Sequence, residues 1–319
     1  MNKNLLIVLA YNEENNIQET IVELIDQFDE ILIVNDLSTD NTKKIISDLT
    51  KVYKNIKVLE NPKNYGAGKS FQQAIEYIKN TKNDFENIVK IDGDGQFEKK
   101  DIFLVKKLLE KEKSQFIKSN RFWKSGIVGD IPTVRYLGNS IASFAIKFNT
   151  GLFLINDPLN GLFGFKKSFL TSVNIPKIFN RYGYPFYINT ISVQQNVKTT
   201  EVQNTVKYNI GEKSQLKAIP MLFKLFVFSA RYFFTNLKLK LKNSNLQTSA
   251  VLDLFFLLFQ LFSYFSIYKL FEIRIKGYSG VQSNWLILFV IFQLFSYVII
   301  YYGKVLENRF RKNFFRLNE

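Results

Sequence analysis

The sequence predicts an α/β fold on a mostly parallel sheet, followed by basic amphipathic helices and a two-helix membrane hairpin. Three observations predict it. Short apolar runs alternate with amphipathic stretches over residues 5–119. Basic and aromatic residues crowd the chain after Gly211, and two long apolar spans follow, the second without a charge.

The elements follow in order. Residues 5–10, 31–35, 56–59, 88–91 and 116–119 are apolar runs of strand length, and 17–27, 39–53, 68–79 and 101–111 carry helical periodicity between them. Such alternation reads as βαβ units on a parallel sheet. The first run is short and meets Tyr-Asn-Glu-Glu at once, so it reads as a buried strand rather than a secretory signal. From 121 to 211 the pattern is less regular: a helix over 133–149, a turn-rich "NDPLNGLFGF" and a returning strand near 200–208.

Beyond it, Lys217, Lys224, Arg231 and Lys238 recur every seven residues and would draw one basic stripe along a helix, as on an interfacial helix lying on anionic lipid. Residues 281–303 carry no charge before Gly303 and exceed the roughly 20 residues a bilayer crossing needs. Residues 251–271 are less clean, since Asp253 and Lys269 bracket them, but both charges lie near the ends. The strongly basic tail over 304–316 puts both ends of the hairpin in the cytoplasm. "FQLFSY" occurs at 259–264 and again at 292–297, so Gln260 with Ser263, and Gln293 with Ser296, would share helix faces able to bond across helices or to another copy. The expected organisation is a domain over 1–212, juxtamembrane helices over 213–248 and the hairpin with its tail over 249–319.

Composition narrows the chemistry. The chain has no cysteine and no histidine, which excludes disulfides and thiolate sites and removes the commonest general base. Any resident metal must then be a hard cation held by oxygen. The net charge of +15 suggests nucleic acid, yet the excess clusters beside the apolar spans and points to a lipid surface instead.

Ligands of such sheets bind beyond the carboxyl ends of the strands. Tyr11, Glu13, Asp36 and the motif "DGDGQ" at 92–96 all fall there. Asp92, Asp94 and the Gln96 amide alternate along the chain and can offer three oxygens to one cation, with phosphate and water completing its shell. "GAGK" at 66–69 opens a helix and can meet a diphosphate through backbone N–H groups, or serve only as a tight turn.

"AYNEENNI", "ILIVNDLSTDNT", "NPKNYGAGKSFQQAI" and "KIDGDGQFEKKDI", in that order, resemble the nucleotide-sugar half of glycosyltransferase family 2, whose Rossmann-like fold is GT-A. "SNRF", Arg135 and "NDPLNGLFGF" resemble the polyprenyl-phosphate hexosyltransferase branch, the relatives of dolichyl-phosphate mannose synthase, and the two spans ending "YYGKVLENRFRK" are similar to the bacterial undecaprenyl-phosphate glucosyltransferase type. The resemblance implies that Tyr11, Glu13, Asp36, Lys69 and Asp92 bind a UDP- or GDP-sugar, and that Asp92, Asp94 and Gln96 hold Mg²⁺ or Mn²⁺. It also implies that Arg121 and Arg135 grip the polyprenyl phosphate, helped by Asn139 and Ser140, with Lys213 and Ser214 standing where a looser motif ends. Asp157 would sit beside the reacting centre as base, acceptor orienter or sugar contact. Leu9 and Asn35 depart from the family's Pro and Asp. The implied activity is inverting hexosyl transfer at the cytoplasmic face of a bacterial inner membrane. The alternatives are extension of a lipid-linked oligosaccharide, or a membrane scaffold with a decayed site.

Overall fold

The computed structural model describes residues 3–111, 114–122, 127–128, 131, 133–207, 218–276, 282–310 and 314–316. The first stretch runs β1 (Lys3–Ala10), α1 (Ile17–Val22), β2 (Glu30–Asn35), α2 (Thr42–Val52), β3 (Ile56–Glu60), α3 (Ala67–Asn80), β4 (Phe85–Asp92), α4 (Lys99–Lys111) and β5 (Phe116–Asn120). Then come β6 (Ile127–Val128), α5 (Thr133–Thr150), β7 (Phe163–Lys166), α6 (Lys167–Leu170), α7 (Tyr184–Gln194), β8 (Thr199–Gln203) and β9 (Val206–Lys207). The chain closes with α8 (Ala218–Lys242), α9 (Gln247–Ile275), α10 (Gln282–Phe310) and β10 (Phe314–Arg316).

Eight strands form one sheet in the order β10-β8-β5-β7-β4-β1-β2-β3. β7 runs antiparallel to both of its neighbours, and the other pairings in this sheet are parallel. Both faces of β1, β2 and β4 are covered, which is why Leu5–Ala10 and Ile31–Val34 can be continuously apolar. On one face Leu6, Val8, Ile31, Ile33, Val89 and Ile91 pack with α1, α2 and α4. On the other, aromatic rings pack together: Phe116 stacks on Phe165 at 5.1 Å, and Phe71 lies edge-on to Phe163 at 5.8 Å and tilted against Tyr184 at 5.4 Å. Because β2 and β3 lie on one side of β1 and β4 on the other, the connections reverse direction between β1 and β4. A crevice forms there.

The expected strands and helices are present, and β6, α6, β7, α7 and β10 are added to them. β7 is a four-residue strand slipped between β4 and β5, too short to show a period, and Gly164 in it leaves room for Val105 and Leu109 of α4. α7 is buried nearly all round, so it lacks the amphipathic signature of a surface helix. β10 adds three residues of the basic tail to the far edge of the sheet. The returning strand divides into β8 and β9 where the Thr205 N–H turns to Asp101 Oδ2 at 2.6 Å.

The chain separates into two compact units. One holds Met1–Lys147, Phe153–Phe228 and Asn313–Glu319, and the other Phe148–Leu152 and Ser229–Lys312. In the second, Ser244–Ile275 and Asn284–Arg309 are long and apolar enough to cross a membrane, and many of their Leu, Phe, Ile, Val and Tyr side chains face outward. α9 and α10 are joined along the "FQLFSY" repeat: Gln260 Nε2 donates to Ser296 Oγ at 2.7 Å, and Gln293 Nε2 donates to Ser263 Oγ at 2.9 Å. Near the N-terminus of α9, Lys240 is fully buried and bridges Asp253 at 2.7 Å and Glu307 at 2.6 Å. A closed ion cluster of this kind keeps charges out of an apolar surround by pairing them.

Candidate active site

A cavity of about 560 Å³ lies in the first unit, at the crevice the strand order creates. Its wall takes Tyr11 and Glu13 from the loop after β1, Asp36 from just past β2, Asp92 from the end of β4 with Asp94 and Gln96 just beyond it, and Arg121 from just past β5. Arg135 and Asn139 on α5, and Arg181 and Tyr182 before α7, add to its polar lining. Residues from 11 to 182 thus converge because the parallel strands end on one side of the sheet.

The loops after β1 and β2 are laced together. The Asn12 N–H donates to Ser38 Oγ at 3.0 Å, the Glu13 N–H to Thr42 Oγ1 at 2.8 Å, and Asn12 Oδ1 accepts the Thr39 N–H at 2.8 Å. Asn12 and Leu37 hold φ of +59° and +58°, a left-handed backbone that Asn tolerates and Leu resists. Burial raises the Asp40 pKa, but hydrogen bonds from Thr42 and from the Glu14 backbone outweigh that and hold the carboxyl below the usual range. Asn35 is fully buried and spans Glu60 and Ser38, so its side chain organises this turn, whereas Leu9 lines the cavity.

Asp36 borders the cavity, yet its oxygens are turned to the next loop. Oδ1 accepts from Asn61 Nδ2 at 2.6 Å and from the Tyr65 N–H at 2.9 Å, and Oδ2 accepts the Gly66 N–H at 2.7 Å. The start of α3 is likewise engaged: the Lys69 N–H donates to the Asn180 carbonyl at 2.7 Å and the Gly68 N–H to that of Arg181 at 3.3 Å. A Cβ on Gly68 would strike the Phe179 carbonyl, so the glycine serves this close approach. Lys69 lies outside the cavity lining, with its ammonium 3.9 Å from Glu76.

Asp92 and Asp94 both reach the cavity. The Gln96 N–H donates to Asp94 Oδ1 at 3.1 Å, which folds the motif into a tight turn around Gly95 at φ +71°. Beneath the pair lies Lys90, fully buried in β4, whose Nζ donates to Asp92 Oδ1 at 2.5 Å and to the Gly161 carbonyl at 3.2 Å. Its ammonium sits 5.3 Å from the Phe163 ring centre and 5.4 Å from that of Tyr184. Burial lowers the Lys90 pKa, and Asp92 and Asp94 oppose the shift. A Cβ on Gly161 would overlap Asp92 Oδ2, so that glycine leaves space for the carboxylate.

Across the cavity, Asp157 is completely buried at φ +48°. It accepts the Arg121 N–H at 2.9 Å, Arg121 Nε at 3.0 Å, Arg121 Nη2 at 3.0 Å and Asn160 Nδ2 at 2.9 Å. Asp157 is therefore the carboxylate that holds the Arg121 fork. Under it, Lys118 bridges Glu201 at 2.8 Å and donates to the Asn156 carbonyl at 2.5 Å. Asn139 is buried on the cavity wall, while Ser140 is exposed and donates to the Tyr136 carbonyl. Lys213 and Ser214 lie outside the described residues.

The sequence reading overlooked Lys90, Arg181, Tyr182 and Asn160. Only Lys90 left a signal, a charge inside the apolar run "NIVKID". Burial raises the Tyr182 pKa despite Arg181 and Arg135 nearby.

The donor set suits a hard divalent cation. Among the described residues no three acidic groups gather into a cage, but two carboxylates, one amide oxygen and an open cavity match a Mg²⁺-type site, which uses one or two carboxylates plus substrate phosphates.

Comparison with known proteins places these features in context. The model of the glycosyl transferase family 2 matches residues 5–173. An uncharacterized protein of Methanocaldococcus jannaschii is 27% identical over 209 residues, 64% of this chain and 87% of that protein. A UDP-N-acetylglucosamine–dolichyl-phosphate N-acetylglucosaminyltransferase of Methanococcus voltae is 30% identical over 178 residues, 52% of this chain and 70% of the relative. A dolichyl-phosphate beta-glucosyltransferase of Trichomonas vaginalis is 30% identical over 125 residues, 36% of each chain. A mannosyltransferase from Pyrobaculum calidifontis, solved with GDP-Man and Mn²⁺, is 14% identical over 97% of this chain and 87% of its own, with a TM-score of 0.46.

Proposed function

Because the chain belongs to glycosyl transferase family 2, we propose that it moves a hexose from a UDP- or GDP-sugar to a polyprenyl phosphate, with inversion, at the cytoplasmic face of a bacterial inner membrane. One observation carries the reading: an acidic pair and two arginines line the same cavity.

The acceptor phosphate oxygen attacks the anomeric carbon from the face opposite the leaving group. A carbon–oxygen bond forms as the bond to the nucleoside diphosphate breaks, and the electron pair leaves with the diphosphate. Asp92, Asp94 and Gln96 would hold Mg²⁺ or Mn²⁺, which, when bound, neutralises the charge developing on that leaving group. Tyr11, Glu13 and Asp36 border the nucleotide end; Asp36 contributes by fixing the 61–66 loop. Arg121 and Arg135 orient the acceptor phosphate, for which a guanidinium fork is suited. A phosphate monoester is already ionised near pH 7, with a second pKa of about 6. It needs no base, which agrees with a chain lacking histidine and with an Asp157 committed to Arg121. The same commitment argues against a hydroxyl acceptor on a lipid-linked oligosaccharide.

The names of the relatives that act on dolichyl phosphate and the two helices able to cross a membrane support the lipid acceptor. Membranes carrying the protein, incubated with labelled UDP- and GDP-sugars, undecaprenyl phosphate and Mg²⁺ or Mn²⁺, test it. Labelled lipid with one donor is expected. No labelled lipid with any donor would overturn the reading.

A further inference from the structure

Lys90 is a fully buried cation directly behind the acidic pair, and it is part of the strand rather than of any ligand-binding loop. Its ammonium is tied to Asp92 Oδ1 at 2.5 Å and to the Gly161 carbonyl at 3.2 Å, beside the rings of Phe163 and Tyr184. These contacts hold Asp92 Oδ1 on Lys90 and leave Oδ2 beside Gly161, with the Phe97 ring close by. A divalent cation approaching the motif therefore meets a carboxylate that is already half neutralised. It also meets a like charge a few ångström behind it, and nearby like charges repel strongly in a low-dielectric interior. A nucleoside diphosphate brings the negative charge that would offset this repulsion.

We propose that Lys90 is a positioning residue that acts through Asp92 to keep the acidic pair a poor cation site until a nucleoside diphosphate arrives, so that cation and nucleotide load together. This rests on the donor reading of the site given above.

The test measures Mn²⁺ binding to the purified full-length protein in detergent, from the electron paramagnetic resonance signal of free Mn²⁺, alone and with saturating UDP or GDP. Wild type is expected to bind Mn²⁺ weakly alone and at least about tenfold more tightly with one nucleotide. In Lys90→Met, removal of a buried unit charge beside the ligands should tighten binding of Mn²⁺ alone by about tenfold. Most of the gain from nucleotide should vanish with it. Lys90→Arg, which keeps the charge, should restore the wild-type pattern. Binding of Mn²⁺ alone that is no tighter in Lys90→Met than in wild type overturns the proposal while leaving the donor reading intact. Should Lys90→Met fail to fold, wild type decides by itself: Mn²⁺ held as tightly without nucleotide as with it overturns the idea. Wild type that binds Mn²⁺ with neither nucleotide overturns both the proposal and the donor reading.

Discussion

At the scale of the residue, Asp157 and Asp40 do different work with the same carboxylate. Asp157 is sealed from solvent and receives three bonds of 3.0 Å or less from Arg121. Replacing it by Asn keeps the shape but removes the charge that orients the fork. Asp157→Asn is expected to raise KM for polyprenyl phosphate by about tenfold or more, with a smaller change in donor KM, because charge-assisted forks are the strong ones. A large loss of kcat at unchanged acceptor KM would instead mark a base. Asp40 is a surface case with a definite sign. Its folded pKa lies below 3.8, so its contribution to stability is complete above that value and disappears as pH falls through the folded pKa. The gap in Tm between wild type and Asp40→Asn should therefore be widest near neutral pH and close below pH 3.8. Glu13, Asp92, Asp94, Gln96 and Arg121, which line the cavity, stand out one by one in "YNE", "DGDGQ" and "SNRF", whereas Arg181 does not. What each oxygen binds was not legible, since Asp36 is claimed by residues 25 to 30 positions later and Asp157 by one 36 positions earlier.

At the scale of the element, glycine separates packing from propensity. In α3, a Cβ on Gly68 would meet a backbone carbonyl that cannot yield, whereas in α5 nothing lies within 4 Å of the Cβ position of Gly138. Gly68→Ala should destabilise the protein by about 1–3 kcal/mol through overpacking. Gly138→Ala should stabilise it by about 1 kcal/mol through helix propensity. Thermal unfolding of the two variants checks both signs. The buried cluster of α8, α9 and α10 makes a sharper demand. Lys240→Met leaves Asp253 and Glu307 without their shared cation and should cost about 3–5 kcal/mol, measured by thermal unfolding in detergent. The five leading strands were readable as short apolar runs and the helices between them by their amphipathic periodicity. β7, α7 and β10 were not: the first and last are too short for a period, and α7 is buried on every side. The "FQLFSY" repeat hinted at helix packing because polar residues inside apolar spans need partners, and Gln260, Ser263, Gln293 and Ser296 supply them to one another.

At the scale of the molecule, one chain combines a parallel-sheet unit with a crevice at its strand reversal and a second unit whose two helices are apolar enough for a bilayer. Charge distribution made that combination visible early, since a net +15 clustered beside apolar spans suits a lipid surface better than a nucleic acid. The central claim is that the cavity joins a nucleotide-sugar end to a phosphate-binding end. Its most direct test is mass spectrometry of lipids after purified protein has been given its donor with either undecaprenyl phosphate or undecaprenol. One sugar is expected on the phosphate-bearing lipid alone, and no product from Asp94→Ala. Sugar appearing on undecaprenol, or undiminished product from Asp94→Ala, would contradict it.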